Sequence, residues 1–337
     1  FSGGLDALYR NDGPVGPGGE YRFTDITRAA RTTIERSSRG MTFVDFDRDG
    51  LLDIFVMAIG ANILYRNLGD LQFRNVAASL GIDQDDQGVG VVAVDINDDG
   101  WPDLFTGNRS NDASNLFLNQ GGSFVDIAGS AGITERGLGM GVAAFDIDND
   151  LDMDLYWTSW PEVVNALYEN RGGVLFENVA AASATDDPLG WGISCNVGDV
   201  DLDGRQDIFV TNGFSDSSGP NVLVRNLGNG AFADFTTALG GGAFDGRGVA
   251  FSDFDNDGDL DLFLPGTPWQ DRPHELLEND GAGVMTSTEQ LEGSGWNENI
   301  WSSEFLDLDG DGFLDLLVGG DNQEGAPRIL WGSSKGA

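Results

Sequence analysis

Three observations predict that this 337-residue chain is an all-β protein, a β-propeller of six four-stranded antiparallel blades. Acidic loops begin at residues 45, 95, 146, 199, 253 and 307, so the sequence repeats every 50 to 54 residues. A period of that size marks a solenoid or a propeller. Each loop runs directly into an unbroken apolar stretch of strand length. In most repeats that stretch is followed by a segment ending in an Asn-x-Gly turn and then by one centred on an aromatic residue, which gives four short strands per repeat, the content of a propeller blade. No segment shows helical periodicity over more than two turns, and residues 1–337 are expected to form a single domain.

Strand one of each repeat, as in residues 41–46 and 249–254, is small and apolar and leads into the acidic loop. Cys195 aligns here with Met41, Val91, Val142 and Val249 and is expected to be a buried core residue. Strand two follows the loop at once: Asp53-Ile-Phe-Val, Asp103-Leu-Phe-Thr, Asp207-Ile-Phe-Val, Asp261-Leu-Phe-Leu and Asp315-Leu-Leu-Val. Such runs suit strands covered on both faces. Strand three is Leu64-Tyr-Arg-Asn67, Leu116-Phe-Leu-Asn119, Leu167-Tyr-Glu-Asn170, Leu223-Val-Arg-Asn226 and Leu276-Leu-Glu-Asn279. Strand four centres on Phe73, Phe124, Phe176 and Phe232, with Gly and Asn between them supplying the positive φ angles of a tight hairpin.

The chain starts in mid-repeat. Residues 8–11 and 21–23 read as strands three and four with no acidic loop before them, and residues 328–331 read as a third strand after the last loop. Joining the two ends as one composite blade would close the ring and hide an exposed sheet edge. Six blades fit the count with one strand over; seven is the open alternative. A chain that starts in mid-repeat is expected to be a processed or trimmed product.

The composition is strongly acidic, with 56 Asp and Glu against 18 Lys and Arg, one His and one Cys, and a net charge of −38. That charge argues against nucleic acid and anionic membranes as partners, because both are polyanions. No apolar run is long enough to span a bilayer. One Cys excludes an internal disulfide and a cysteine-based zinc site, and one His excludes a multi-histidine metal centre. Forty per cent hydrophobic residues are enough for a sizeable core.

Position explains the acid. Carboxylates recur at loop positions 1, 3, 5 and 9: Asp45, Asp47, Asp49 and Asp53; Asp95, Asn97, Asp99 and Asp103; Asp146, Asp148, Asp150 and Asp154; Asp199, Asp201, Asp203 and Asp207; Asp253, Asp255, Asp257 and Asp261; Asp307, Asp309, Asp311 and Asp315. Side chains at 1, 3 and 5 converge on one point, and the Asp at 9 is expected to bind through both oxygens. The backbone carbonyl at position 7 (Leu51, Trp101, Asp152, Arg205, Asp259 or Phe313) adds another ligand. An all-oxygen cage with up to four negative charges suits Ca²⁺ better than Mg²⁺ or transition metals. Position 12 is never Glu and an apolar strand follows, which excludes an EF-hand. Six Ca²⁺ would bring the net charge from −38 to −26. The 146–154 loop departs from the pattern, with Leu151 where the others have Gly, so its site is the least regular.

Phe46-Asp-Arg-Asp-Gly-Leu-Leu-Asp-Ile-Phe-Val and Phe254-Asp-Asn-Asp-Gly-Asp-Leu-Asp-Leu-Phe-Leu resemble the FG-GAP (VCBS-type) repeats of integrin α-subunit propellers. The segment Asn62-Ile-Leu-Tyr-Arg-Asn-Leu-Gly-Asp-Leu-Gln-Phe is more similar to the bacterial and secreted-animal branch, in which such repeats precede a UnbV/ASPIC-type module. The resemblance covers nearly the whole chain and implies a calcium-binding propeller. Relatives of this kind include adhesion receptors, lectins and domains attached to polysaccharide-degrading enzymes.

In an up-and-down blade the acidic loops lie at one end of the strands, leaving the other end for recognition. Trp157, Trp160, Trp191, Trp269, Trp296 and Trp301 fall in or beside segments of that opposite end, with Arg39, Arg109, Arg247, Arg272 and His274. Trp269, Trp160, Arg39, Arg247, Arg272 and Trp301 are the candidate ligand-binding residues, as aromatic platforms and anion-binding groups for a glycan or protein ligand. His274, between Pro273 and Glu275, is expected on a surface loop. The leading reading is a monomeric, calcium-stabilised binding or adhesion module, alone or within a larger secreted chain. The alternative is a polysaccharide-active enzyme or lectin on the same scaffold. Weak calcium sites of extracellular type would stay empty in the cytosol, which points to an extracellular, cell-surface or periplasmic location, and the scarcity of Cys leans toward a bacterial source.

Overall fold

The structure, a computed structural model, describes residues 6–15, 20–34, 37–85, 87–109, 113–160, 163–187, 190–213, 219–239, 247–266, 273–290, 300–320 and 327–332. An N-terminal hairpin pairs β1 (Tyr9–Val15) with β2 (Glu20–Asp25). Five four-stranded sheets then follow in chain order. The first holds β3 (Ser38–Val44), β4 (Asp53–Ala58), β5 (Ile63–Asn67) and β6 (Phe73–Asn75), and the second β7 (Gly90–Val94), β8 (Asp103–Gly107), β9 (Asn115–Asn119) and β10 (Phe124–Asp126). The third holds β11 (Leu138–Phe145), β12 (Asp154–Trp160), β13 (Ala166–Asn170) and β14 (Phe176–Asn178). The fourth holds β15 (Gly192–Gly198), β16 (Asp207–Asn212), β17 (Val222–Gly228) and β18 (Ala231–Asp234), and the fifth β19 (Ala250–Ser252), β20 (Asp261–Leu264), β21 (Glu275–Asn279) and β22 (Met285–Gln290). A three-stranded sheet of β23 (Ile300–Leu306), β24 (Asp315–Gly320) and β25 (Arg328–Leu330) ends the described chain. Neighbours in every sheet are consecutive in sequence, the up-and-down order of propeller blades. The fold is a six-bladed β-propeller, and the terminal strands form two separately paired sheets, β1–β2 and β23–β25.

The register places the acidic turns. Asp53 pairs with Val44, Asp103 with Val94, Asp207 with Gly198, Asp261 with Ser252 and Asp315 with Leu306. The last Asp of each of these loops is thus the first residue of strand two, held opposite the last residue of strand one. From there strand two is buried throughout in β4, β8, β16 and β20.

By its contacts the chain divides into two units, Phe1–Ala144 with Asp152–Trp157 and Tyr168–Asn178, and Phe145–Leu151 with Thr158–Leu167 and Val179–Ala337. In the first, Phe46, Phe55, Met57 and Leu64 pack with Leu104, Phe117 and Phe124 of the next repeat. In the second, Val200, Phe209 and Leu223 pack with Val249, Leu262, Leu264 and Leu277 in the same way. Apolar contact between consecutive repeats is the main source of stability in such arrays.

Strand four is followed by a single helical turn that the periodicity does not show: α1 (Thr27–Ala30), α2 (Ala77–Leu80), α3 (Ala128–Ala131), α4 (Ala180–Ser183) and a 3₁₀ turn at Thr236–Leu239. An Asp or Asn just upstream starts four of them. Asp25, Asn75, Asp126 and Asp234 each accept the backbone N–H two residues on, at 2.9–3.0 Å. No helix among the described residues is long and apolar enough to cross a membrane.

Candidate metal centres

The acidic loops share one backbone shape. Position 4 has positive φ in all six (Arg48, Asp98, Asn149, Leu202, Asn256 and Gly310), and so has position 6. Leu151 adopts this conformation at φ 77° where the other loops have Gly, so the third loop keeps its backbone at a steric cost of about 1 kcal/mol.

The first Asp closes the loop on itself. Asp45 accepts the amides of Asp49 and Gly50, both at 3.0 Å; Asp95 those of Asp99 and Gly100 at 3.1 and 2.7 Å; Asp199 those of Asp203 and Gly204 at 3.0 and 2.8 Å. Asp253 does the same with Asp257 and Gly258, and Asp307 with Asp311 and Gly312. Asp146 accepts the amides of Asn149, Asp150 and Leu151. At position 5, Asp49, Asp99, Asp203, Asp257 and Asp311 accept the amide of position 7.

The Asp at position 9 does more than the spacing suggests. One oxygen of Asp53 accepts Phe46 N–H at 3.2 Å and the other Asn67 N–H at 2.7 Å. The pattern recurs in Asp103 (Ile96 and Asn119), Asp207 (Val200 and Asn226), Asp261 (Phe254 and Asn279) and Asp315 (Leu308 and Gly332). In the remaining loop Asp154 accepts Asn170 N–H at 2.6 Å. This Asp therefore clamps the acidic loop to strand three, and what it can offer a metal is the second lone pair of each oxygen. Burial pushes Asp53, Asp103 and Asp207 up to about 6 and Asp261 up to about 7.

The strand-three Asn adds a joint between repeats. Its Nδ2 donates to the carbonyl just before the position-9 Asp of its own repeat and to the position-2 carbonyl of the preceding loop: Asn119 to Pro102 and Phe46, Asn170 to Met153 and Ile96, Asn226 to Gln206 and Ile147, Asn279 to Leu260 and Val200.

Among the described residues, three carboxylates gather closely enough to hold one metal ion at Asp45, Asp47 and Asp53, at Asp199, Asp201 and Asp203, at Asp253, Asp255 and Asp261, and at Asp307, Asp309 and Asp311. In the third loop, Asp146, Asp148, Asp150 and Asp152 are near the surface and burial raises the Asp148 carboxyl. The second loop has Asn97 in place of the position-3 carboxylate; Asn97 Nδ2 donates to Asp99 at 3.1 Å. Buried oxygens with no hydrogen-bond donor test the fit to a cation. Asp47 Oδ1, Asp201 Oδ1 and Asp259 Oδ1 are of this kind. A buried carboxylate oxygen without a donor is costly unless a cation faces it, so the residues present fit a hard divalent metal.

Position 7 was read as a carbonyl ligand only, and its side chains diverge. Leu51 is exposed, Trp101 lies 5.3 Å from the Arg48 guanidinium, and Arg205 donates to Asp203 and to Asn226 O. Asp259 is the buried acidic member of this set. Its side chain is 7% exposed, and burial and the carboxylates of Asp257, Asp255 and Asp253 push it up to about 6.

Sequence reasoning also missed two arginines of strand three. Arg66 Nε lies 2.5 Å from Asp47 Oδ2 and its Nη2 3.4 Å from Asp49 Oδ2. Arg225 pairs with Asp201 through Nε and with Asp203 through Nη2.

At the other strand ends, Trp160 meets Trp191 edge to face with centroids 6.0 Å apart, and the Arg247 guanidinium lies 4.1 Å above the Trp301 ring. Arg39 and Arg109 are half-buried; desolvation, joined by repulsion from Arg109, lowers the Arg39 pKa. Trp269, Trp296 and Arg272 lie outside the described residues. Three expectations change. Trp157 is a core residue, 1% exposed. His274 is buried rather than on the surface, with Nδ1 accepting Gly266 N–H at 3.0 Å. Cys195 is half-buried rather than enclosed, because it lies on an edge strand, although desolvation still pushes its thiol up to about 12.

Fold and loops together define a β-propeller whose repeats carry acidic, metal-competent turns. The FG-GAP-like repeat model matches residues 45–106, 95–157 and 199–264, and the chain belongs to that family. It is 33% identical over 275 residues to cartilage acidic protein 1 of Xenopus tropicalis, covering 71% of this chain and 41% of that protein. With the Mus musculus protein of the same name it shares 33% identity over 206 residues, 58% of this chain and 31% of the relative. The chain thus spans well under half the length of these relatives. Among solved structures it is similar to an Agrocybe aegerita lectin described as recognising non-reducing terminal N-acetylglucosamine, at 17% identity and a TM-score of 0.57 over 97% of this chain and 90% of that one.

Proposed function

We propose that this chain is a calcium-binding, calcium-stabilised extracellular propeller that presents a recognition surface to a glycan or protein ligand. The calcium reading rests on the donorless buried oxygens of Asp47, Asp201 and Asp259, set among carboxylates fixed by backbone hydrogen bonds. Calcium, not magnesium, suits a site of several carboxylates and a carbonyl in a flexible turn. The 146–154 loop, which keeps the shared backbone, joins the set as the sixth site.

Recognition is assigned to the strand ends away from these loops, where Trp160 with Trp191 offers stacking surface and Arg39 near Arg109 offers positive charge, while Arg247, expected there as a ligand-binding residue, is buried against Trp301. The lectin with the same fold supports a glycan ligand. A binding role is favoured over catalysis because the one His, His274, is buried and desolvation pushes the half-buried Cys195 thiol up. The extracellular location follows from calcium availability and is supported by the cartilage acidic protein relatives. A glycan array run in millimolar calcium and again in EDTA tests the reading. Calcium-dependent capture of a defined glycan class supports it, and an array blank in both conditions removes the glycan arm.

A further inference from the structure

We propose that Arg66 and Arg225 are resident counter-cations of the first and fourth acidic loops, and that a divalent metal enters these loops only by displacing them. The inference rests on the calcium reading above and divides the sites into two classes. Both arginines occupy one register, the residue before the strand-three Asn, paired across the hairpin with Arg74 and Ala233. From there each guanidinium reaches the carboxylates at positions 3 and 5 of its own loop, Asp47 and Asp49 for Arg66, Asp201 and Asp203 for Arg225. The loop-four site is built to hold positive charge: the Asp201 side chain is 2% exposed, one oxygen takes the guanidinium, and the other, Oδ1, has no donor. Arg205 adds a second cation on Asp203, held in place by its bond to Asn226 O at 2.9 Å.

The fifth loop reverses this electrostatic arrangement on the same frame. Glu278 stands in the register of Arg66 and Arg225, and Asp259 brings a further buried carboxylate to Asp253, Asp255 and Asp257. A guanidinium keeps its charge at every working pH. Its repulsion of a metal a few ångströms away therefore weakens binding in loops one and four, whereas the extra carboxylate strengthens it in loop five. Both arginine side chains are more than one-third exposed, so they can swing out to water, and the ion pairs given up with the shielded Asp47 and Asp201 carboxylates are the cost that metal binding must offset. The chain then has tight sites that stay filled and arginine-guarded sites that fill only at higher calcium.

Calorimetric titration of the full chain with calcium chloride tests this. Wild type should show two classes of site. In R66Q/R225Q the weak class should tighten about tenfold or more for each site relieved of one charge. The melting temperature of that variant in EDTA should fall below wild type, because the crowded carboxylates lose their internal partners. Glu278→Arg, which leaves loops one and four intact, should weaken one tight site by a similar factor. An unchanged or weaker low-affinity class in R66Q/R225Q, with calcium still bound, overturns the inference and leaves the calcium reading standing. Tight sites unaltered in Glu278→Arg also overturn it. If neither wild type nor variant takes up calcium, the calcium reading falls and the inference with it.

Discussion

The two ends of each sheet obey different rules. At the acidic end the same hydrogen bonds recur from loop to loop: the first Asp closes the turn, the last Asp clamps it to strand three, and the next repeat's Asn holds its carbonyl. At the described part of the other end no device repeats. Trp160 of β12 meets Trp191 just before β15, Arg247 lies on Trp301 of β23, and Arg39 neighbours Arg109. Repetition belongs to the frame of the loops, and variation to the strand ends at which recognition is proposed. The same division holds inside the loops, where the conserved-in-geometry positions 1, 5 and 9 make the frame and the variable position 7 tunes its charge.

The largest expected effect attacks the repeated end as a whole. Calcium bound to the native state alone adds about 1.4 kcal/mol per site at tenfold excess over Kd, so several sites should raise the melting temperature well above that in EDTA. Equal melting temperatures in millimolar calcium and EDTA would break the comparison at its root. Next, Asp207→Ala and Asp261→Ala each strand two backbone amides and should cost about 3 kcal/mol, with or without metal, in denaturant titrations. A loss seen only in calcium would reduce the position-9 Asp to a simple ligand.

A smaller effect concerns charge within the frame. Asp259 and Asp261, pushed up to about 6 and 7, hold protons in the folded chain that the unfolded chain has already released. Their contribution to stability is therefore present at low pH and is lost as pH rises through 6 to 7. The metal-free protein should melt higher at pH 5.5 than at pH 8, and Asp259→Asn should flatten that difference. Smallest in stability, and confined to the other end, are Trp160→Ala and Trp301→Ala. They should weaken a bound ligand by about 1 kcal/mol or more while leaving calcium-dependent melting unchanged. Collapse of the melting temperature would make those rings packing rather than recognition.

How much of this was legible follows from the range of the interactions. Repeat period, strand order and loop positions are local or periodic signals, and they appear in the structure as read. The Asn joint was not legible, because Asn119, Asn170, Asn226 and Asn279 find their carbonyls 73 to 79 residues upstream. Arg66 and Arg225 were hidden for the same reason on a smaller scale: strand three meets the loop only once the register is set. His274 looked exposed between Pro273 and Glu275, and its contacts with the Gly266 amide and the neighbouring Phe263 ring form only in the fold. The one-turn helices are too short for periodicity, though the Asp or Asn two residues ahead of Thr27, Ala77, Ala128 and Thr236 was a usable sign.

The Asn joint also bears on how such a chain grows. Each repeat from the second to the fifth reaches back with its Asn, and each from the first to the fourth offers its loop carbonyl forward, so the connection is head-to-tail and the second, third and fourth copies use both halves of it. A duplicated repeat spliced between two others would arrive with matching ends on both sides and would need no new surface to be invented. In the last repeat the register of the Asn falls to Gly332, which has no side chain to reach back with, although its amide still meets Asp315. Gain or loss of whole repeats is therefore expected among the copies that carry both halves of the joint.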